Sequence, residues 1–271
     1  MVNQRLINLA ERLGSEVLPR QEALNTEPEQ VSLPTVSNTK DDIILENIVC
    51  RNSNGKVFEQ YPKLFIKKDI ERDENQAQIN HTPYDWISYF EDKGLFLPSF
   101  ALSCNILATL YSKRSDAEIN KVLMQYKDKG NGTGWHAQNT VVDWGSNTII
   151  HYPSRDNQGG TIKRPAIELP FTKKGIKDAT LEKALKNENL KEYIQNLTGL
   201  RTPETLVEIG KYFGKPAYVW TSSGKDVRVA WLGCNYLDYF DLDSLISLDK
   251  PHCRSWGTRR KIGGICKNGF G

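Results

Sequence analysis

The dipeptide Asn54-Gly55, set between two runs rich in β-branched and aromatic residues, constrains this chain more than any other local feature. A tight hairpin turn needs positive φ at its central positions, which Asn and Gly adopt at least cost. Residues 43–49 and 56–61 are therefore expected to fold back on each other, with Leu64-Phe65-Ile66 extending the sheet. Two further hairpins are expected. One joins residues 135–143 to 148–152 around Gly145-Ser146-Asn147, and the other joins 217–221 to 227–232 around Ser223-Gly224-Lys225.

Helix punctuation falls between these strands. Thr82 precedes Pro83 as a cap, Ser99 caps a helix through Tyr111, and Ser115 with Glu118 reads as a capping box ahead of Ile119, Val122, Leu123 and Tyr126. One helix is expected over residues 180–197, and another runs from Thr202-Pro203 to Gly214. Strand pairs with intervening helices give an α+β fold, a mixed or antiparallel sheet built from hairpins and covered by several packed helices.

Three regions follow. Residues 1–40 form an N-terminal helical arm, since Leu6, Ala10, Leu13 and Val17 recur at helical spacing and Pro28 and Pro34 mark a linker. Residues 41–249 are the core, and 250–271 are a basic segment of the same domain. The arm is the natural place for a homodimer contact. No apolar stretch approaches a membrane span, no secretory signal opens the chain, and the five cysteines are odd in number and scattered, so a cytoplasmic location is expected.

The final segment carries Lys250, Arg254, Arg259, Arg260, Lys261 and Lys267 and no acid. Those six against a formal charge of +3 leave −3 for everything before Lys250. With Trp256 able to stack on a base, Arg254, Arg259, Arg260, Lys261 and Lys267 suit a phosphate backbone. The leading expectation is thus a nucleic-acid-binding or nucleic-acid-processing protein, such as a nuclease. Asp238, Asp241, Asp243 and Asp249 immediately precede the segment and compete for its charges.

A nuclease would call for Mg²⁺. The candidates for that ion are Asp238, Asp241 and Asp243, of which Asp241 and Asp243 also suit the first turn of a helix through Leu248. The stretches around Asp85 to Lys93 and Asp116 to Lys127 imitate a metal-dependent nuclease motif poorly, because both fall on expected helices. Cys234, His252, Cys253 and Cys266 lack the close pairing usual for zinc, which argues against that metal. The glycine-rich stretch 130–134 leaves a helix and enters a strand, the reverse of a dinucleotide-binding loop.

The alternative expectation is a cysteine-dependent amide hydrolase or transferase. Cys104 follows a helix start, His136 lies on a strand, and Asp156 would oppose His136 if the hairpin pairs residues summing to 292. The order of thiol and imidazole resembles that of papain-like hydrolases, over residues 103–107 and the hairpin 136–153 alone. In the register summing to 291, His136 and His151 instead share a face four residues apart. A third expectation is a non-catalytic interaction or assembly protein. Trp220 and Trp231, placed on the two strands of the third hairpin, are expected to form either a core pair or a stacking platform.

Overall fold

The computed structural model describes residues 33–75, 79, 81–127, 134–152, 166–234, 238–246 and 258–260. Strands β1 (Thr35–Asn38), β2 (Asp42–Arg51) and β3 (Val57–Lys67) form an antiparallel meander. The expected turn is present: Gly55 has φ +76°, and the Asn52 side chain accepts the N–H groups of Asn54 and Lys56. Along β2 the buried positions run Ile43, Leu45, then Ile48 and Cys50, a shift from odd to even. The register is unbroken there, Glu46 pairing with Lys63 and Ile48 with Tyr61, so both strands change face together where Asn47, at φ +59°, stands opposite Pro62, which has no N–H to give a ladder.

The second sheet is built from β4 (Gly134–Asp143), β5 (Thr148–His151), β6 (Ile167–Pro170), β7 (Ala179–Thr180), β8 (Ala217–Trp220), β9 (Val227–Cys234) and β10 (Phe240–Ile246). Its order is β6-β5-β4-β9-β10-β8-β7, antiparallel throughout except between β10 and β8. The last described strand, β11 (Thr258–Arg260), returns to the first sheet and pairs with β3, completing the order β1-β2-β3-β11. The fold is α+β.

Helix α1 (Pro83–Asp92) is capped by the Thr82 hydroxyl, which accepts the Asp85 N–H, and α2 (Phe100–Ser112) by the Ser99 hydroxyl, which accepts the Leu102 N–H. The α2 sequence is apolar nearly all round, as a helix surrounded by protein must be. It packs against β2 of the first sheet and against β4 and β9 of the second, so one continuous core spans both sheets. Helix α3 (Ala117–Met124) buries Ile119, Val122 and Leu123 as expected, but its cap is Asp116 rather than Ser115, because the carboxylate accepts both the Glu118 and Ile119 N–H groups.

The helix expected over 180–197 is two helices, α4 (Leu181–Ala184) and α5 (Glu188–Thr198), divided where the Asn187 side chain accepts the Leu190 N–H and starts a new helix. Helix α6 (Glu204–Phe213) ends at Gly214 with φ +71°, as expected, although Pro203 rather than Thr202 occupies the cap position. Gly199, at φ +62°, ends α5 against α2. A Cβ there would stand 2.8 Å from that of Ala101 and 2.9 Å from that of Cys50.

Two further expectations fail. β8 and β9 are not a hairpin, because β10 lies between them and pairs with both. Asp241 and Asp243 lie on that strand rather than in the first turn of a helix. The arm over residues 3–18 and most of the glycine-rich loop lie outside the described residues. No helix among the described residues is long and apolar enough to cross a membrane.

Candidate functional site

Cys104 sits in the middle of α2 with no exposed surface, and burial pushes its thiol well above the ordinary range. It lies close enough to Cys50 of β2 to help raise that thiol too, after burial and Glu59. His136 belongs to the other sheet, on β4 opposite Leu232, with its ring 4.7 Å from that of Tyr126. Among the described residues no hydrogen bond links Cys104 to His136. Instead the Ser103 hydroxyl donates to Gln138 Oε1, and the Gln138 side-chain N–H₂ donates to the His136 backbone carbonyl. An activated thiolate needs a cationic or polar surround, and Cys104 has the opposite.

The β4–β5 register decides the orienting group. Thr140 pairs with His151 and Val141 with Ile150, so paired positions sum to 291. That is not the register which would set Asp156 opposite His136, and Asp156 itself lies outside the described residues. His151 is buried as well. Its Nε2–H donates to the Asn196 carbonyl, Phe58 stacks on its ring, and burial lowers its pKa to about 4, against a smaller opposing effect of the Asn196 bond.

A different constellation lies on the face of the second sheet turned away from α2. Ala179 pairs with Val219 and Thr180 with Tyr218, so the residue before them, Asp178, comes level with Trp220. The Thr221 N–H and hydroxyl both donate to Asp178 Oδ1, at 2.7 and 3.0 Å, and fix the carboxylate there. Trp220 is level with Asp243 on β10, and Asp243 with Trp231 on β9, while Tyr218 is level with Asp241. Carboxylates and aromatic rings therefore alternate across three neighbouring strands.

Asp241 is fully buried and Asp243 is 6% exposed. The Trp220 indole donates to Asp241 Oδ1 at 2.8 Å, and both acids also take part in further interactions. Half-buried Tyr218, Trp220 and Tyr239 touch one another, with ring centroids 4.5, 4.9 and 6.3 Å apart. Burial, then the nearby Asp178 charge, raises the Tyr218 pKa. Trp231 is fully buried beneath α1 with Trp86 and Phe90, so the two tryptophans expected to pair serve different ends of this face. Period-two alternation in Phe240-Asp241-Leu242-Asp243-Ser244 was the sequence signal for this strand; its acids mimic a helix start.

Of the residues expected to meet phosphate, Arg259 and Arg260 lie on β11, level with Phe65 and Leu64. Arg254, Trp256, Lys261 and Lys267 lie outside the described residues, as do His252, Cys253 and Cys266 of the zinc set, whereas Cys234 is buried on β9. Among the described residues no group of three or more His, Cys, Asp or Glu side chains is placed to hold a metal ion. Asp238 is exposed and paired with Lys215 at 3.0 Å. The chain matches no protein-family model, and no curated protein or solved structure is similar to it.

Proposed function

We propose that this protein binds nucleic acid through its basic C-terminal segment, with Arg254, Arg259, Arg260, Lys261 and Lys267 meeting phosphates and Trp256 stacking on a base. The observation that carries this reading is β11: the middle of the segment is a strand paired with β3. A backbone fixed in this way spends less conformational entropy on binding than a loose tail does. Lys63 and Lys67 of β3 flank the same edge, each within ion-pair distance of an acid on β2, Glu46 and Asp42.

Binding of single-stranded and duplex oligonucleotides, followed by fluorescence anisotropy, tests the proposal. Affinity should fall at least about tenfold between roughly 50 and 200 mM salt, since three or more neutralised phosphates release counterions. The Arg259→Ala/Arg260→Ala variant should bind more weakly with a shallower salt slope. Binding that ignores both salt and these arginines overturns it.

A further inference from the structure

We propose that the Tyr111–Arg114–Tyr212 cluster on the surface is a second nucleic-acid contact, in which the Arg114 guanidinium holds a phosphate and the Tyr212 ring stacks on the adjoining base. The inference deepens the nucleic-acid reading above and rests on it. Three helices build the cluster. Tyr111 lies in the last turn of α2, Arg114 follows that helix, and Tyr212 in the last turn of α6 donates its hydroxyl to Asn120 Oδ1 of α3 at 2.9 Å. The two tyrosine rings meet edge to face, with centroids 5.7 Å apart.

Arg114 is fixed before any ligand arrives. Its Nη1–H donates to the Tyr111 carbonyl at 2.9 Å, and its Cζ lies 4.0 Å from the centroid of the Tyr111 ring and 5.8 Å from that of Tyr212. A guanidinium lying on a ring keeps its remaining N–H groups in one plane, a fork that fits two phosphate oxygens. Holding so long a side chain in place beforehand lowers the entropic cost of binding.

Charge decides what the cluster takes. Among the described residues no acid pairs with Arg114 or with Lys113 beside it. The acids nearest in sequence are engaged elsewhere: Asp116 caps α3, Glu118 faces Lys68 at 3.4 Å and Glu208 faces Lys211 at 3.0 Å. The carbonyl end of α2 repels anions with about half a unit charge, which the two whole charges of Lys113 and Arg114 outweigh. Tyr212 supplies the flat surface, since at 38% it is the most exposed of the described tyrosine, tryptophan and phenylalanine side chains. An unpaired guanidinium beside an open ring matches a phosphodiester together with its base.

The cluster is also linked to β11. Asn120 is two residues past Glu118, which reaches Lys68, and Lys68 is two residues past Ile66, the register partner of Thr258. One strand of nucleic acid then crosses α3 on its way from Arg259 and Arg260 to Arg114.

The test is fluorescence anisotropy of the full chain with a labelled oligothymidylate of about twenty nucleotides, long enough to cover both contacts. Arg114→Gln should weaken binding about three- to tenfold and lower the slope of log affinity against log salt by about 0.7, the share of one phosphate in a single strand. Tyr212→Ala should weaken binding about fivefold or more and leave the slope unchanged, because stacking releases no counterions. Unfolding curves establish that each variant is folded, and Arg114→Gln decides alone if Tyr212→Ala is not.

Parent-like binding by the folded variants overturns the second contact, and the nucleic-acid reading survives that result if Arg259→Ala/Arg260→Ala still weakens binding. A parent that binds no oligonucleotide sinks the reading and this contact together.

Discussion

Thr140 and His151 face each other across β4 and β5, with the hydroxyl oxygen 2.9 Å from Nδ1. The Asn196 carbonyl can only accept, so Nε2 carries the proton, and Nδ1 must accept from Thr140. The Thr140 oxygen in turn accepts the Phe100 N–H at the start of α2. This chain of neutral bonds ties two strands, the central helix and the end of α5.

His151 should therefore make the fold acid-labile. Its folded pKa of about 4 lies below the ordinary 6.5, so between those values the unfolded chain binds more protons and stability rises with pH. The contribution is complete above 6.5, declines as pH falls toward 4, and amounts to at most roughly 3 kcal/mol. Urea unfolding at several pH values should show a shallower acid slope in His151→Gln than in the parent; equal slopes would contradict the assignment.

Ser99 should be costly to remove. Its hydroxyl donates to Glu59 at 2.7 Å and accepts the Leu102 N–H, so Ser99→Ala removes a helix cap and a donor to a carboxylate that Tyr61 also binds. The expected loss is about 2–4 kcal/mol. Glu59→Gln places an amide N–H₂ against one of two hydroxyl donors and should cost about 1–3 kcal/mol, read from chemical denaturation.

Glycine substitutions should separate strain from crowding. Gly55→Ala meets open space at positive φ and should cost about 1 kcal/mol. Gly199→Ala has the same backbone requirement and also collides with Ala101 and Cys50, so its loss should exceed that of Gly55→Ala by about 1–3 kcal/mol. Thermal melts showing the reverse order would mean that α5 does not press on α2 and β2 as described.

Cys104 should react with iodoacetamide only as fast as the protein opens. Burial that lifts the thiol also excludes the reagent, so labelling in native buffer should be far slower than in denaturant. Rapid, selective modification of Cys104 at neutral pH would restore the cysteine-hydrolase reading.

Local chemistry carried much of the fold. Asn54-Gly55 marked its hairpin, the Thr82 and Ser99 hydroxyls started helices, and Gly214 ended one, where their bonding and φ preferences require. Two of the misassignments share one cause. Asp116 outcompeted Ser115 as a cap, and Asp241 and Asp243 imitated a helix start, because short polar side chains satisfy backbone groups in several local settings.

The candidate site was less legible. Trp220 and Tyr218 were visible as aromatics on a strand, but Asp178 is some forty residues away in sequence and Asp241 about twenty. Only sheet order brings them level, and that order depended on β10 entering between β8 and β9.

By itself, then, the sequence determined the α+β class, the first hairpin, the helix starts at Thr82 and Ser99, the stop at Gly214 and the excess of positive charge from Lys250 onward. Each follows from backbone preferences or residue counts within a few positions. Tertiary structure alone decided that β11 pairs with β3, that Cys104 is wholly buried within α2, and that carboxylates surround Trp220. Strand order and burial are set by which distant surfaces exclude water together, and no window of neighbouring residues contains that information.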